Sequence, residues 1–183
     1  MNRHPILIRN IKHLTDARYF AAMGVDWISL PLNHDPASFA SWHALTGWIE
    51  GVRLAAEFDA DDEMLFAKAI IDAKPGAIVS GKDIRDRIPA EISLFLEVDQ
   101  IDVSTQADHA YFLLPYDQFR KDGLSEHIHP SQVFLVADWT PELLEGVLAA
   151  GYAGGFCFSG GEEEEVGVRD YESMDELLGR LMG

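Results

Sequence analysis

The sequence predicts an α/β protein, a compact (β/α)8 barrel, on three observations. Eight short apolar runs alternate with amphipathic stretches within 183 residues, which is the pattern of a parallel sheet covered by helices. Several of the intervening stretches have helical period and recognisable ends. No Pro/Gly/Ser-rich tract or shift in composition divides the chain, so residues 1–183 read as a single domain. A doubly wound sheet is the rival arrangement.

The first strand is expected in PILIRNI at 5–11. A helix from Leu14 to Met23 follows, with apolar or small residues at Leu14, Ala17, Ala21 and Ala22 and Gly24 as its stop. WISLPL at 27–32, a helix from Pro36 to Thr46, GVRLAAEF at 51–58, a helix from Asp59 to Ala73 and AIVS at 77–80 continue the alternation. The remaining strands are expected in ISLFLEV at 92–98, AYFLLPY at 110–116, QVFLVADW at 132–139 and GGFCFSG at 154–160. Between the last two, TPELLEGVLAAG combines a capping threonine at Thr140, proline at the first helical position, an early carboxylate and Gly151 as the stop. Tyr171 to Met182 reads as a closing amphipathic helix. Two connections are thin: KDIRDRIPAE before the fifth run, and DQIDVSTQADH before the sixth, the latter near the minimum of roughly a dozen residues for a parallel crossover. The helix between strands 5 and 6 is therefore expected to be shortened or missing.

With 48% hydrophobic and 10% aromatic residues the chain has the material for a sizeable core, which argues against disorder. Its 14 Lys+Arg against 31 Asp+Glu give a formal net charge of -17. Nucleic-acid binding needs a basic surface, so no nucleic-acid partner is expected. A single cysteine, Cys157, allows no intramolecular disulfide and no thiolate-rich zinc site, in keeping with a reducing, cytoplasmic location. The opening MNRHPILIRNIKH lacks the apolar run of a signal peptide, and no run approaches the roughly 18 residues of a membrane span. The expectation is a soluble monomer or homodimer without a membrane partner.

Both ends of the chain resemble one family. ILIRNIKHLTDARYFAAMGVDWISL is similar to the opening of phosphoribosylanthranilate isomerases, where a Lys-Ile-Cys-Gly-like strand end precedes Leu-x-Asp-Ala, a helix and Gly-Ala-Asp; Leu14, Asp16, Ala17, Gly24 and Asp26 match. TPELLEGVLAAG resembles that family's Thr-Pro-Glu-Asn helix. SGGEEEEVGVRDYESMDELLGRL resembles its Ser-Ser-Gly-Val-Glu segment, Gly-Val-Lys-Asp turn and last helix, with Ser159, Gly161, Glu163, Gly167, Val168 and Asp170 matching. The resemblance implies a barrel that isomerises an aminoaldose phosphate to an aminoketose in tryptophan biosynthesis, without a cofactor or metal. It implies a cysteine base, an aspartate acid and a phosphate seat in the last two βα loops, here Ser159, Gly160 and Gly161.

The chain departs from that pattern where the chemistry lies. Arg9 stands at the base cysteine's position and Asn10 at the glycine after it. An arginine stays protonated at any working pH and takes no proton from carbon. The acid's Leu-Leu-Asp context reads Leu113-Leu114-Pro115, and the Gly-Gly of the seventh loop reads Ala137-Asp138-Trp139. Asp117 and Asp138 are the replacement candidates for acid or base work. His34, beside Asp35 at a strand end, and the strand-end residues Arg9, Asn10, Glu57 and Glu97 are candidates to line the barrel mouth.

Cys157, inside Gly-Phe-Cys-Phe-Ser, reads as a small buried side chain. Strand-end carboxylates at Glu57, Asp59, Glu97, Asp99, Asp117 and Asp138 are expected to be neutralised by Arg9, Lys12 or Lys82 as ion pairs rather than to hold a cation. Trp139 is placed near the mouth, in space a substrate would take. Glu162 to Glu165 read as a solvated loop. Two functions follow: an isomerase-like protein for a phosphorylated metabolite that lacks the standard catalytic residues, or a paralogue without that activity that binds a small ligand at the mouth.

Overall fold

The computed structural model describes residues 3–101, 110–124, 127–160 and 171–182. The described residues form eight strands: β1 Ile6–Arg9, β2 Trp27–Pro31, β3 Arg53–Glu57, β4 Ala77–Ser80, β5 Ser93–Glu97, β6 Ala110–Pro115, β7 Val133–Val136 and β8 Gly155–Ser159. Each pairs in parallel with the next and β8 pairs with β1, closing a barrel in sequence order. Each strand lies inside an apolar run that the sequence marked, and closure removes the open edges of the doubly wound alternative.

The helices are α1 Leu14–Met23, α2 Pro36–Trp48, α3 Glu63–Lys68, α4 Tyr116–Asp122, α5 Pro141–Ala149 and α6 Glu172–Met182. Local chemistry sets their ends. Gly24 takes φ 80 after α1, and the side chains of Asp35, Asp62 and Thr140 accept amide hydrogen bonds at the starts of α2, α3 and α5. The segment expected as one helix from Asp59 to Ala73 begins only at Glu63, and its last turn, Ala69–Ala73, widens to a π-turn. The Trp42 indole N–H donates to the Ala73 carbonyl there at 2.8 Å, giving a buried ring nitrogen its partner.

One thin connection is described in full and the other in part. Between β4 and β5 a three-residue 3-10 turn, Arg85–Arg87, stands where a helix would lie. After β5, residues 98–101 are not helical, and 102–109 lie outside the described residues. The start of α4 also differs from expectation: the helix begins at Tyr116, directly on the end of β6. Pro115 at its N-cap needs no amide partner, so strand and helix join without a loop.

The barrel interior is filled in layers. The register places Leu7, Ala55, Phe95 and Phe134 from the odd strands at one level, with Trp27, Ala77, Tyr111 and Gly155 from the even strands below them. Ser29, Val79, Leu113 and Cys157 lie above. Alternate strands feeding successive levels is how such a barrel packs. Aromatic rings close its lower half: Phe95 stacks on Tyr111 at 4.8 Å and meets Trp27 and Phe134 edge-on. Gly155 leaves room for this, since a Cβ there would sit 2.6 Å from the Phe134 ring. With its lower half packed solid, the barrel's open space is at the C-terminal ends of the strands.

Candidate functional site

The topmost level consists of Arg9, Glu57, Glu97 and Val136, again from odd strands. Period-two alternation explains why they point inward: each lies two residues beyond Leu7, Ala55, Phe95 or Phe134. The Arg9 guanidinium is a fork between two strands. Its Nε and Nη2 donate to the two Glu57 carboxylate oxygens at 3.3 and 2.9 Å, and Nη1 donates to Glu97 Oε1 at 2.6 Å.

Glu57 is itself held from below. Ser29, fully buried, donates its hydroxyl to Glu57 Oε1, and the Asn10 amide donates to the same oxygen at 3.2 Å. Asn10 takes φ 58, a left-handed turn that aims its amide back at the barrel. Burial works against the Arg9 charge, but the Glu57 and Glu97 bonds outweigh it, so its pKa lies above the ordinary arginine value. The mouth therefore carries a fixed cation and no proton acceptor at this position.

Arg9 and Val136 line both of the hollows that open here. One, about 460 Å³, is also lined by Asn10, Glu57, Asp138, Cys157 and Ser159. The other, about 360 Å³, is lined by Gly81, Glu97, Asp99, Leu113 and Pro115. The guanidinium is thus paired with two carboxylates, Glu57 and Glu97, while Asp138 lines the first hollow and Asp99 the second. Below it, the Cys157 thiol is pushed up to about 12, chiefly by burial; the nearby Arg9 charge acts the other way but does not prevail. At neutral pH it is a neutral packing group.

The structure gathers some of the expected site residues and scatters others. Arg9, Asn10, Glu57, Glu97, Asp138 and Ser159 meet at the mouth. Asp117 is exposed in the first turn of α4 and lines neither hollow, because the helix that starts at Tyr116 carries it outward. His34 is also exposed and pairs with Asp62, the capping residue of α3, on the outer rim. Lys82 pairs with Asp61. Among the described residues, no three His, Cys, Asp or Glu side chains are grouped to hold a metal.

Two expectations meet a different local arrangement. Trp139 does not fill the mouth: its indole donates to the Cys157 carbonyl at 2.9 Å, and its ring packs on Phe156 and Phe158, whose side chains belong to the layer outside the barrel. In the expected phosphate seat, the Gly160 amide donates at 2.7 Å to the Arg9 carbonyl, which commits it to the backbone and leaves it no bond for an anion. Gly161 and Glu162 to Glu165 lie outside the described residues. Sequence reasoning missed Ser29, whose signal was a small polar residue at an inward position of WISLPL.

These features define a (β/α)8 barrel whose candidate site is the C-terminal mouth, the place where this fold carries its sites. No family model matches the chain, and no curated protein does. Solved structures do. Phosphoribosyl anthranilate isomerase from Thermus thermophilus superposes with a TM-score of 0.67 at 18% identity, over 97% of this chain and 98% of that one. The monomeric form of the dimeric enzyme from Thermotoga maritima gives 0.69 at 13% identity over the same shares. A phosphoribosyl anthranilate isomerase in complex with reduced 1-(o-carboxyphenylamino)-1-deoxyribulose 5-phosphate gives 0.70 at 13% identity, also over those shares. At such identities the likeness establishes the fold, which is that of the phosphoribosylanthranilate isomerases. Among the described residues no helix is long and apolar enough to cross a membrane.

Proposed function

We propose that this protein is a phosphoribosylanthranilate isomerase-like barrel, descended from the tryptophan-biosynthetic isomerases, that binds a small metabolite at its mouth without running their cysteine–aspartate proton transfers. One observation carries the reading: the Arg9 guanidinium, bonded to Glu57 and Glu97, stands where the resemblance puts the general base. Glu57 does not replace the base, because its carboxylate already accepts from Arg9, Asn10 and Ser29. Asp138 is the carboxylate left for acid or base work in the larger hollow, and Asp117 lies outside it. A volume of about 460 Å³ suits a small ligand. The engaged Gly160 amide and the Glu57 and Glu97 carboxylates argue against a phosphate seat at the mouth, where Ser159 lines the larger hollow.

The test is growth of a tryptophan auxotroph lacking the isomerase, together with a turnover assay of the purified protein, beside an Arg9→Cys variant. Soluble wild-type protein should give neither growth nor turnover. Growth supported by the wild type would overturn the reading.

A further inference from the structure

Arg9, with Val136, lines both hollows of the mouth. Its guanidinium occupies a seat built by other elements: Glu57 from β3 and Glu97 from β5, with buried Ser29 holding Glu57 in position. The pairing with Glu57 is a two-point fork, Nε and Nη2 on the two carboxylate oxygens. A free guanidinium or amidinium reproduces that fork; an ammonium gives a point charge and a phosphate the wrong sign.

We infer that Arg9 is a resident plug, that the two hollows are halves of one chamber, and that the chamber's ligand is a planar cation of the guanidinium or amidinium class taking Arg9's place between Glu57 and Glu97. This rests on the mouth being the ligand site. Tethering gives the Arg9 group an effective concentration on the order of millimolar or more, so a free cation competes poorly in the intact protein. Opening the chamber then requires a ligand that makes further contacts, and Asp138 and Asp99, one in each hollow, are placed to supply them.

Arg9→Ala removes the competitor and leaves the seat. The probes are methylguanidinium chloride below denaturing concentrations, sodium chloride as the ionic-strength control, and inorganic phosphate, read by thermal melting and calorimetry. A ligand that binds only the folded state raises its melting temperature. Methylguanidinium should stabilise Arg9→Ala saturably, with an apparent affinity at least about tenfold above that for the wild type. Phosphate should stabilise neither, and Arg9→Ala/Glu57→Gln should lose the response. A response of Arg9→Ala no larger than that to sodium chloride, a response retained by the double variant, or stabilisation by phosphate overturns the proposal. Should Arg9→Ala not fold alone, its refolding yield with and without methylguanidinium is the readout, and equal yields overturn it. Isomerase activity in the wild type would sink the functional reading while leaving this binding result interpretable.

Discussion

Replacing Glu57 by glutamine tests the physical basis of the mouth. The substitution keeps the side chain's shape but removes its charge and turns one acceptor oxygen into a donor NH2. Three groups now donate to this carboxylate: the Arg9 guanidinium through two nitrogens, the Asn10 amide and the Ser29 hydroxyl. A glutamine offers one acceptor atom to them and opposes at least one donor with another. Removing one partner of a fully buried ion pair costs about 3–5 kcal/mol. Here the side chains of Arg9 and Glu57 are 23% and 18% exposed, and Arg9 keeps Glu97 at 2.6 Å. We therefore expect a loss of about 2 kcal/mol, or roughly 4–8 °C in melting temperature for a chain of this size. Differential scanning calorimetry in moderate salt measures it. A melting temperature within about 1 °C of the wild type would refute the view that the Arg9–Glu57 fork is a tight structural contact rather than a loose surface pair.

Three further outcomes are expected. Gly160→Ala places a methyl group 2.9 Å from the Arg9 carbonyl and against the Ile11 side chain, and should cost about 1–3 kcal/mol in urea denaturation; an unchanged midpoint would show that the β1–β8 approach yields easily. Tyr171→Phe removes a hydrogen bond of 2.6 Å to Asp16, which is 1% exposed, and should cost about 1–2 kcal/mol with faster amide exchange in α6; unchanged exchange in α6 would show that this bond does not dock the helix. Cys157 sets a pH dependence: its thiol titrates near 9.0 when unfolded and is held up to about 12 by burial when folded, so the unfolded state releases its proton first and stability falls as pH rises across that window. Cys157→Ala should flatten the fall by up to about 1.4 kcal/mol per pH unit, measured as the difference from wild type so that other titrating groups cancel; parallel curves for the two proteins would show that the thiol does not contribute.

The sequence by itself determined the barrel. Its eight apolar runs carry residues of period two, and its caps, Asp35, Thr140 and Gly24, act between near neighbours, so both signals are local and readable in one dimension. The ion pairing of Arg9 with strand-end carboxylates was equally legible, from a lone arginine at a strand end in a chain rich in strand-end acids. The start of α4 was not, because the apolar run AYFLLPY continues through Pro115 into Tyr116 without a turn signal. Nor was the placement of Trp139, whose side chain passes outside the barrel rather than into it.

Only the tertiary structure decided which carboxylates Arg9 meets. Glu57 and Glu97 lie 48 and 88 residues from it along the chain, and the closed sheet's stagger lifts them, rather than Asp59 or Asp117, to its level. The same closure brings the Gly160 amide onto the Arg9 carbonyl. Period two states which residues face inward; the register between strands sets their heights, and register is a property of the whole ring of pairings rather than of any single segment.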